Sequence, residues 1–349
     1  MSRSKRKLEH IKYALETRNP VSPSFEDIRF VHRSLPESDV NKVELRTNVG
    51  ELTLSSPIIV NAMTGGGGRK TEELNGMLAR TARRYGLPIA VGSQMSALKD
   101  PAQTPTFKAV RRENPDGLVF ANLGCEASYD QAMLAVEMLE ADALQLHANT
   151  VQELVMPEGD RSFSGWMSSI EKIARGISVP VIVKEVGFGM GRETAKALKN
   201  AGVSIIDIGG SGGTNFARVE NKRRLQPLQA FEDWGIPTPV SIVEAGTVSG
   251  LGIIGSGGIS TPLQAAKAIS LGASAAGVAG HFLSILVEEG EAELNKTVEF
   301  FLEEFKLIMA ALGTEDIKSL KNAPVVILGE TREWLNERGV DTRKFSLRS

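Results

Sequence analysis

Cysteine is almost missing from this chain of 349 residues, with Cys125 the single example. An intrachain disulfide and a thiolate-built zinc site are therefore excluded, and a reducing compartment is the expected setting. Long apolar runs are missing too, since none reaches the roughly 18 residues that a membrane helix needs. The basic start (Arg3, Lys5, Arg6, Lys7) runs on into charged residues instead of the apolar stretch of a secretory signal. A cytoplasmic protein without a membrane partner is the expectation. Charge of one sign is also lacking. Lys plus Arg total 40 against 42 acids, a net charge of −2, so no overall field draws nucleic acid or an anionic membrane.

What is present is an ordinary globular composition, 42% hydrophobic and 23% charged, enough to bury a sizeable core without staples. In residues 1–17, Leu8, Ile11 and Leu15 take the spacing of one apolar helix face. Pro20, Pro23 and Pro36 break up the stretch to residue 56. From there a rhythm sets in. Short apolar runs predict strands over 57–64, 87–93, 118–124, 143–147, 179–186, 205–210, 252–259 and 275–280. Helical periodicity follows most of them, over 70–85, 129–139, 166–175, 192–200, 261–270 and 282–312. Runs this continuous suit strands buried on both faces. Eight such units without a break in composition predict one α/β domain, a closed (β/α)8 TIM barrel over 57–312. An N-terminal helical extension (1–56) and a C-terminal extension (313–349) flank it. A doubly wound open sheet is the alternative.

A barrel brings all C-terminal strand ends to one rim, where its chemistry is built. The most polar of them is Ala143–Glu153, an apolar strand that turns into His147, Asn149, Gln152 and Glu153. It is either a site or a well-satisfied strand end. Glycines crowd three consecutive later ends, Gly209–Thr214, Ser256–Gly258 and Ala279–Gly280. They permit tight turns, or they free backbone N–H groups and the Thr214 hydroxyl to surround a phosphate. None is followed by the Lys-Ser/Thr of a Walker loop, and glycines after late strands do not fit a dinucleotide fingerprint. Lys184 ends an apolar strand, where an ammonium is costly without an anion. It would pair with Asp207, read as lying one strand removed, or face an anionic ligand. A flavin suits the second reading, with its phosphate on the late loops and amides such as Asn122 around the ring. The long segment Ser211–Leu251, carrying Asn221-Lys-Arg-Arg and Trp234-Gly-Ile-Pro-Thr-Pro, reads as a lid or binding loop.

Six motifs occur in a telling order. They are Ala62-Met-Thr-Gly-Gly, Val91-Gly-Ser-Gln-Met, Gln145-Leu-His-Ala-Asn-Thr-Val-Gln-Glu, Lys184-Glu-Val-Gly-Phe-Gly, Gly209-Gly-Ser-Gly-Gly-Thr-Asn and Trp234-Gly-Ile-Pro-Thr. Together they resemble the type 2 isopentenyl diphosphate isomerase family, from Arg6-Lys7 to beyond Gly280. The resemblance implies an FMN-dependent barrel that interconverts isopentenyl and dimethylallyl diphosphate in isoprenoid biosynthesis. It further implies reduced FMN as acid and base, NADPH as reductant, Mg2+ as metal, and a homo-oligomer of four or eight chains. Carried over by position, it implies FMN contacts at Ala62, Met63, Thr64, Ser93, Asn122, Lys184 and Thr214. The FMN phosphate would lie near Gly257, Gly258, Ala279 and Gly280. Arg6, Lys7 and His10 are implied as diphosphate contacts, with Ser93 also on the substrate side. His147, Asn149 and Gln152 are implied in the catalytic pocket, Gln152 touching substrate, and Glu153 as the Mg2+ ligand. An FMN-dependent oxidoreductase of the same barrel type is the alternative reading. Neither Cys125 nor His281-Phe282 meets the acid–base pattern those enzymes need.

Overall fold

The structure is a computed structural model that describes Tyr13 and residues 25–348. Apart from Tyr13, the helix expected over residues 1–17 lies outside the described residues, and Arg6, Lys7 and His10 lie there with it. Three short strands come first: β1 (Ile28–Phe30), β2 (Thr47–Val49) and β3 (Leu52–Leu54). The next eight are β4 (Ile58–Val60), β5 (Ile89–Ala90), β6 (Val119–Gly124), β7 (Ala143–Ala148), β8 (Val181–Glu185), β9 (Ile205–Asp207), β10 (Gly252–Ser256) and β11 (Ala275–Val278). They form a closed parallel barrel in sequence order, and β11 returns to β4 with Ala276 opposite Ile58 and Val278 opposite Val60. Every expected barrel strand is present, and the open-sheet alternative is excluded. A last strand, β12 (Val325–Ile327), pairs antiparallel with β1.

The helices follow the apolar periodicity closely, at Arg69–Tyr85, Tyr129–Leu139, Trp166–Gly176, Arg192–Asn200 and Pro262–Leu271. The expected stretch 282–312 is two helices, Gly280–Glu288 and Glu291–Ala311, parted at Gly290 with a φ of +90°. A residue with that φ cannot continue a right-handed helix. The segment between β9 and β10 is ordered, with helices Phe216–Asn221 and Thr238–Gly246.

Alternation along the strands decides what meets on the barrel axis. Ile59, Ala90, Phe120, Ala143, Ile182, Ile205, Ile254 and Ala275, one from each barrel strand, form a buried cluster with Val49, Leu52 and Leu54 of the β2–β3 hairpin. That hairpin seals the end of the barrel where the strands begin. A Cβ on Gly50 would come within 2.6 Å of Ile205 Cγ1, and one on Gly252 within 2.6 Å of the Gly50 nitrogen. Two residues further along each chain segment, the inward positions read Asn61, Gly92, Asn122, Gln145, Lys184, Asp207, Ser256 and Gly277. The barrel thus has an apolar floor and, above it, a buried polar layer.

One buried carboxylate helps to fasten the C-terminal extension to this frame. Glu244, buried on helix Thr238–Gly246, accepts from Trp334 Nε1 at 3.0 Å, Arg338 Nε at 3.0 Å and the Arg192 N–H at 3.1 Å. Burial opposes its ionisation, but these donors, with Arg338 foremost, hold its carboxyl below the usual range. A lowered value means that its stabilisation is complete above the ordinary glutamate range and is lost as pH falls through the folded value. Glu244→Gln should therefore unfold at a lower temperature than the parent at neutral pH. The gap should close toward acid pH in a calorimetric series.

Candidate active site

The polar layer is one connected network, and its direction is set by Asp207. This carboxylate is fully buried and accepts from Asn61 Nδ2 at 2.7 Å, from Lys184 Nζ at 3.2 Å and from the Ser256 hydroxyl. A carboxylate only accepts, so Asn61 must turn its amide nitrogen toward it. The Asn61 oxygen is then left to accept from Gln145 Nε2 at 3.2 Å. Gln145 Oε1 accepts in turn from Asn122 Nδ2 at 3.1 Å, and Asn122 Oδ1 meets His147 Nδ1 at 2.8 Å. The chain of amides fixes every orientation along it, so His147 carries a proton on Nδ1, and a neutral ring presents Nε2 as an acceptor.

Lys184 and Asp207 lie on adjacent strands in direct register, not one strand apart as expected. The pairing that would make Lys184 structural is present, and its ammonium also donates to Ser256 Oγ at 3.2 Å. Yet Lys184 also lines the cleft above the layer, so the two readings of this lysine are compatible. Next along β8, the Glu185 carboxylate accepts from the Phe188 and Gly189 N–H groups at 2.6 and 2.9 Å. Burial pushes it up to about 8, although those N–H groups and Lys184 act in the opposite sense.

That cleft opens at the C-terminal ends of β8 to β11 and β4, the end of such a barrel where ligands bind. Ala62, Met63, Lys184, Thr214, Gly257, Gly258, Ala279 and Gly280, all expected at the flavin, line it together. The glycines are there because the loops touch. A Cβ on Gly257 would sit 2.1 Å from the Gly210 oxygen, and one on Gly213 would sit 2.5 Å from the Gly258 nitrogen. Bare backbone is thus presented beside the first turn of helix Gly280–Glu288, an arrangement that suits a phosphate. Three other residues expected at the flavin are not among those lining the cleft. The Thr64 hydroxyl is turned onto Asn75, Asn122 is buried in the polar layer beneath the cleft, and Ser93 lies outside the lining. Phe216 and His281 line the cleft without having been expected there.

Across the mouth stands the end of β7, diametrically opposite β11 in the order of eight. Here helix Thr150–Val155 carries the polar run. Asn149 Nδ2 donates to Glu153 Oε1 at 2.9 Å, and the Asp160 N–H donates to Glu153 Oε2 at 2.9 Å. Gln152 Nε2 donates to Glu220 Oε1 at 3.1 Å. Glu220, fully buried on helix Phe216–Asn221, is ion-paired with Arg223, which also reaches Glu158. Arg224 Nη1 holds the Val155 carbonyl at 2.8 Å. The segment read as a lid or binding loop packs against the polar cluster, and Glu220 is a residue there that the sequence pattern did not single out. Among the described residues, no three His, Cys, Asp or Glu side chains converge to hold a metal, so a cation here would rest on Glu153 and on ligand oxygens. Cys125 is buried, and burial raises its thiol well above the ordinary value, so it is no nucleophile.

A closed barrel with a glycine-built cleft at its C-terminal mouth is the architecture of FMN enzymes, and the FMN-dependent dehydrogenase family matches residues 121–327. Solved structures share the fold. A lactate oxidase from Pediococcus acidilactici superposes with a TM-score of 0.67 at 15% identity, over 92% of this chain and 87% of that one. A chimeric (S)-mandelate dehydrogenase superposes with a TM-score of 0.64 at 16% identity, over 91% of each. Closer kinship is full-length. Proteins named isopentenyl-diphosphate delta-isomerase from Bacillus licheniformis and a Geobacillus species are each 55% identical over 349 residues, 100% of both chains. The chain belongs to the isopentenyl-diphosphate delta-isomerase family.

Asp207→Asn would leave the Lys184 ammonium buried without its counter-charge. Losing one partner of a buried pair costs about 3 kcal/mol or more. The urea midpoint of the variant should fall accordingly, and an unchanged midpoint would show that the layer does not depend on this charge.

Proposed function

We propose that the protein interconverts isopentenyl and dimethylallyl diphosphate, with reduced FMN in the cleft, NADPH as its reductant and Mg2+ at Glu153. One observation carries the reading. In a chain 55% identical throughout to proteins of that name, the glycine cradle and the cluster Asn149–Glu153 face one another across a single mouth. The cradle fits FMN, since bare backbone meets the phosphate and a paired ammonium, Lys184, offers positive charge to the ring edge. When bound, reduced FMN supplies an electron-rich ring beside a developing tertiary cation and a nitrogen that exchanges a proton.

The protein's own part is placement. Moving a double bond by one carbon needs a proton added at one carbon and another removed nearby, without net redox change. Gln152 is too weak a base to take a proton itself. Held by Glu220, its amide presents a fixed orientation to the alkene. His147, with its proton set on Nδ1, presents Nε2 as an acceptor on the same side. Glu153 supplies one carboxylate oxygen to Mg2+, and diphosphate oxygens supply the rest, a usual arrangement for that ion. Arg6, Lys7 and His10 are the diphosphate contacts in this reading. In support, the Tyr13 ring lies 5.4 Å from Lys222 Nζ, just beyond the helix that carries Glu220. Assembly into tetramers or octamers belongs to the same reading.

The test is anaerobic incubation with isopentenyl diphosphate, FMN, NADPH and Mg2+, followed by NMR. Dimethylallyl diphosphate should accumulate to equilibrium. Its absence, together with oxidation of a 2-hydroxy acid, would overturn the reading in favour of an oxidoreductase. Glu153→Gln should keep FMN but lose Mg2+-dependent turnover by a hundredfold or so, as second-sphere metal losses already reach about 10–100-fold. Full activity in that variant removes the metal from Glu153. Arg6→Ala should act mainly on KM, because a diphosphate contact remote from the reacting carbons supplies binding energy.

A further inference from the structure

The segment Trp234-Gly-Ile-Pro-Thr has no role in the site so far, yet three loops of the rim hang on it. The Ile236 N–H donates to the Phe188 carbonyl at 2.8 Å, and the Ile236 carbonyl accepts from the Ser211 N–H at 2.9 Å. The segment therefore bridges the loops after β8 and β9. Its last residue reaches the third loop. Thr238, completely buried, donates its hydroxyl to the Gly257 carbonyl at 2.7 Å and lies 3.2 Å from the Ser256 carbonyl. The Ser256 carbonyl also accepts from the Gly210 N–H at 2.9 Å.

These bonds decide which way the cradle faces. In a trans peptide the carbonyl and the following N–H point in opposite directions, and no cis peptide occurs among the described residues. Drawing the Ser256 and Gly257 carbonyls toward Thr238 and Gly210 turns the N–H groups of Gly257 and Gly258 away from them. Both residues line the cleft on their other side. Both also have left-handed φ, +103° and +76°, in a residue type free to adopt many other conformations. Something outside the loop must select this one.

We propose that Thr238 is a positioning residue for the cofactor phosphate: its hydroxyl latches the Gly257 carbonyl and thereby holds the Gly257 and Gly258 N–H groups toward the phosphate. The inference rests on the reading of the cleft as an FMN site. Its signature is selective. Affinity for FMN depends on the latch, and affinity for riboflavin, which lacks the phosphate, does not.

The experiment uses the full-length protein stripped of flavin and titrated with FMN and with riboflavin, followed by flavin fluorescence. Thr238→Val keeps the shape and removes the hydroxyl. It should weaken FMN by about three- to tenfold, the worth of one neutral hydrogen bond, and leave riboflavin within twofold or so. Thr238→Ser should restore FMN binding. Thr238→Ala carries the same comparison if the valine variant is recovered unfolded. Unchanged FMN affinity in both hydroxyl-free variants overturns the proposal, as does an equal loss for FMN and riboflavin, which would mark a purely structural role. A parent protein that binds neither flavin would instead overturn the FMN reading itself, so the two failures are distinct.

Discussion

A single buried negative charge organises the mouth of this barrel. Asp207 cannot donate, and every side chain that touches it must. That one restriction passes along Asn61, Gln145 and Asn122 until it determines which nitrogen of His147 holds a proton. The same carboxylate offsets the cost of a buried Lys184 ammonium and so keeps a positive charge beside the cleft. A layer of neutral amides without it would have two directions of nearly equal energy. With it, there is one.

The cleft depends on a second constraint, the closeness of backbones. Gly210 against Gly257 and Gly213 against Gly258 leave no room for a side chain, and bare peptide groups are what a phosphate needs. Behind the loops stands helix Thr238–Gly246, tied at its start to the cradle through Thr238 and at its end to the C-terminal extension through Glu244. The two ends of one helix thus connect the cofactor side of the rim with an element that never reaches it.

Much of this was legible in the sequence. Barrel strands buried on both faces leave continuous apolar runs, and the helices leave a clean 3.6-residue period. The glycine-lined cleft was legible because glycine marks backbone contact directly. The pairing of β1 with β12 was not, since three-residue strands nearly three hundred positions apart carry no period of their own. Nor was the polar layer as a layer. Asn61, Gln145 and Ser256 look unremarkable one at a time, and only the shared offset of two residues from the apolar floor unites them. Lys184 and Asp207 were both noticed, but their adjacency was misjudged because strand order was not carried through to register. Glu220 and Phe216 sit on a segment whose length suggests a lid or binding loop. Their role rests on tertiary contacts with helix Thr150–Val155 and with the cleft, which no local pattern encodes. The bond from the Thr64 hydroxyl to Asn75 is likewise a tertiary contact that its motif does not encode.

The β2–β3 hairpin has a consequence for traffic. By stoppering the barrel where the strands begin, it leaves the barrel, among the described residues, open only at its other end. Whatever occupies the cleft enters at the C-terminal rim and leaves the same way. The innermost guest must then arrive first and depart last. A cofactor seated low against Lys184 would be retained by every later visitor that stands in the entrance.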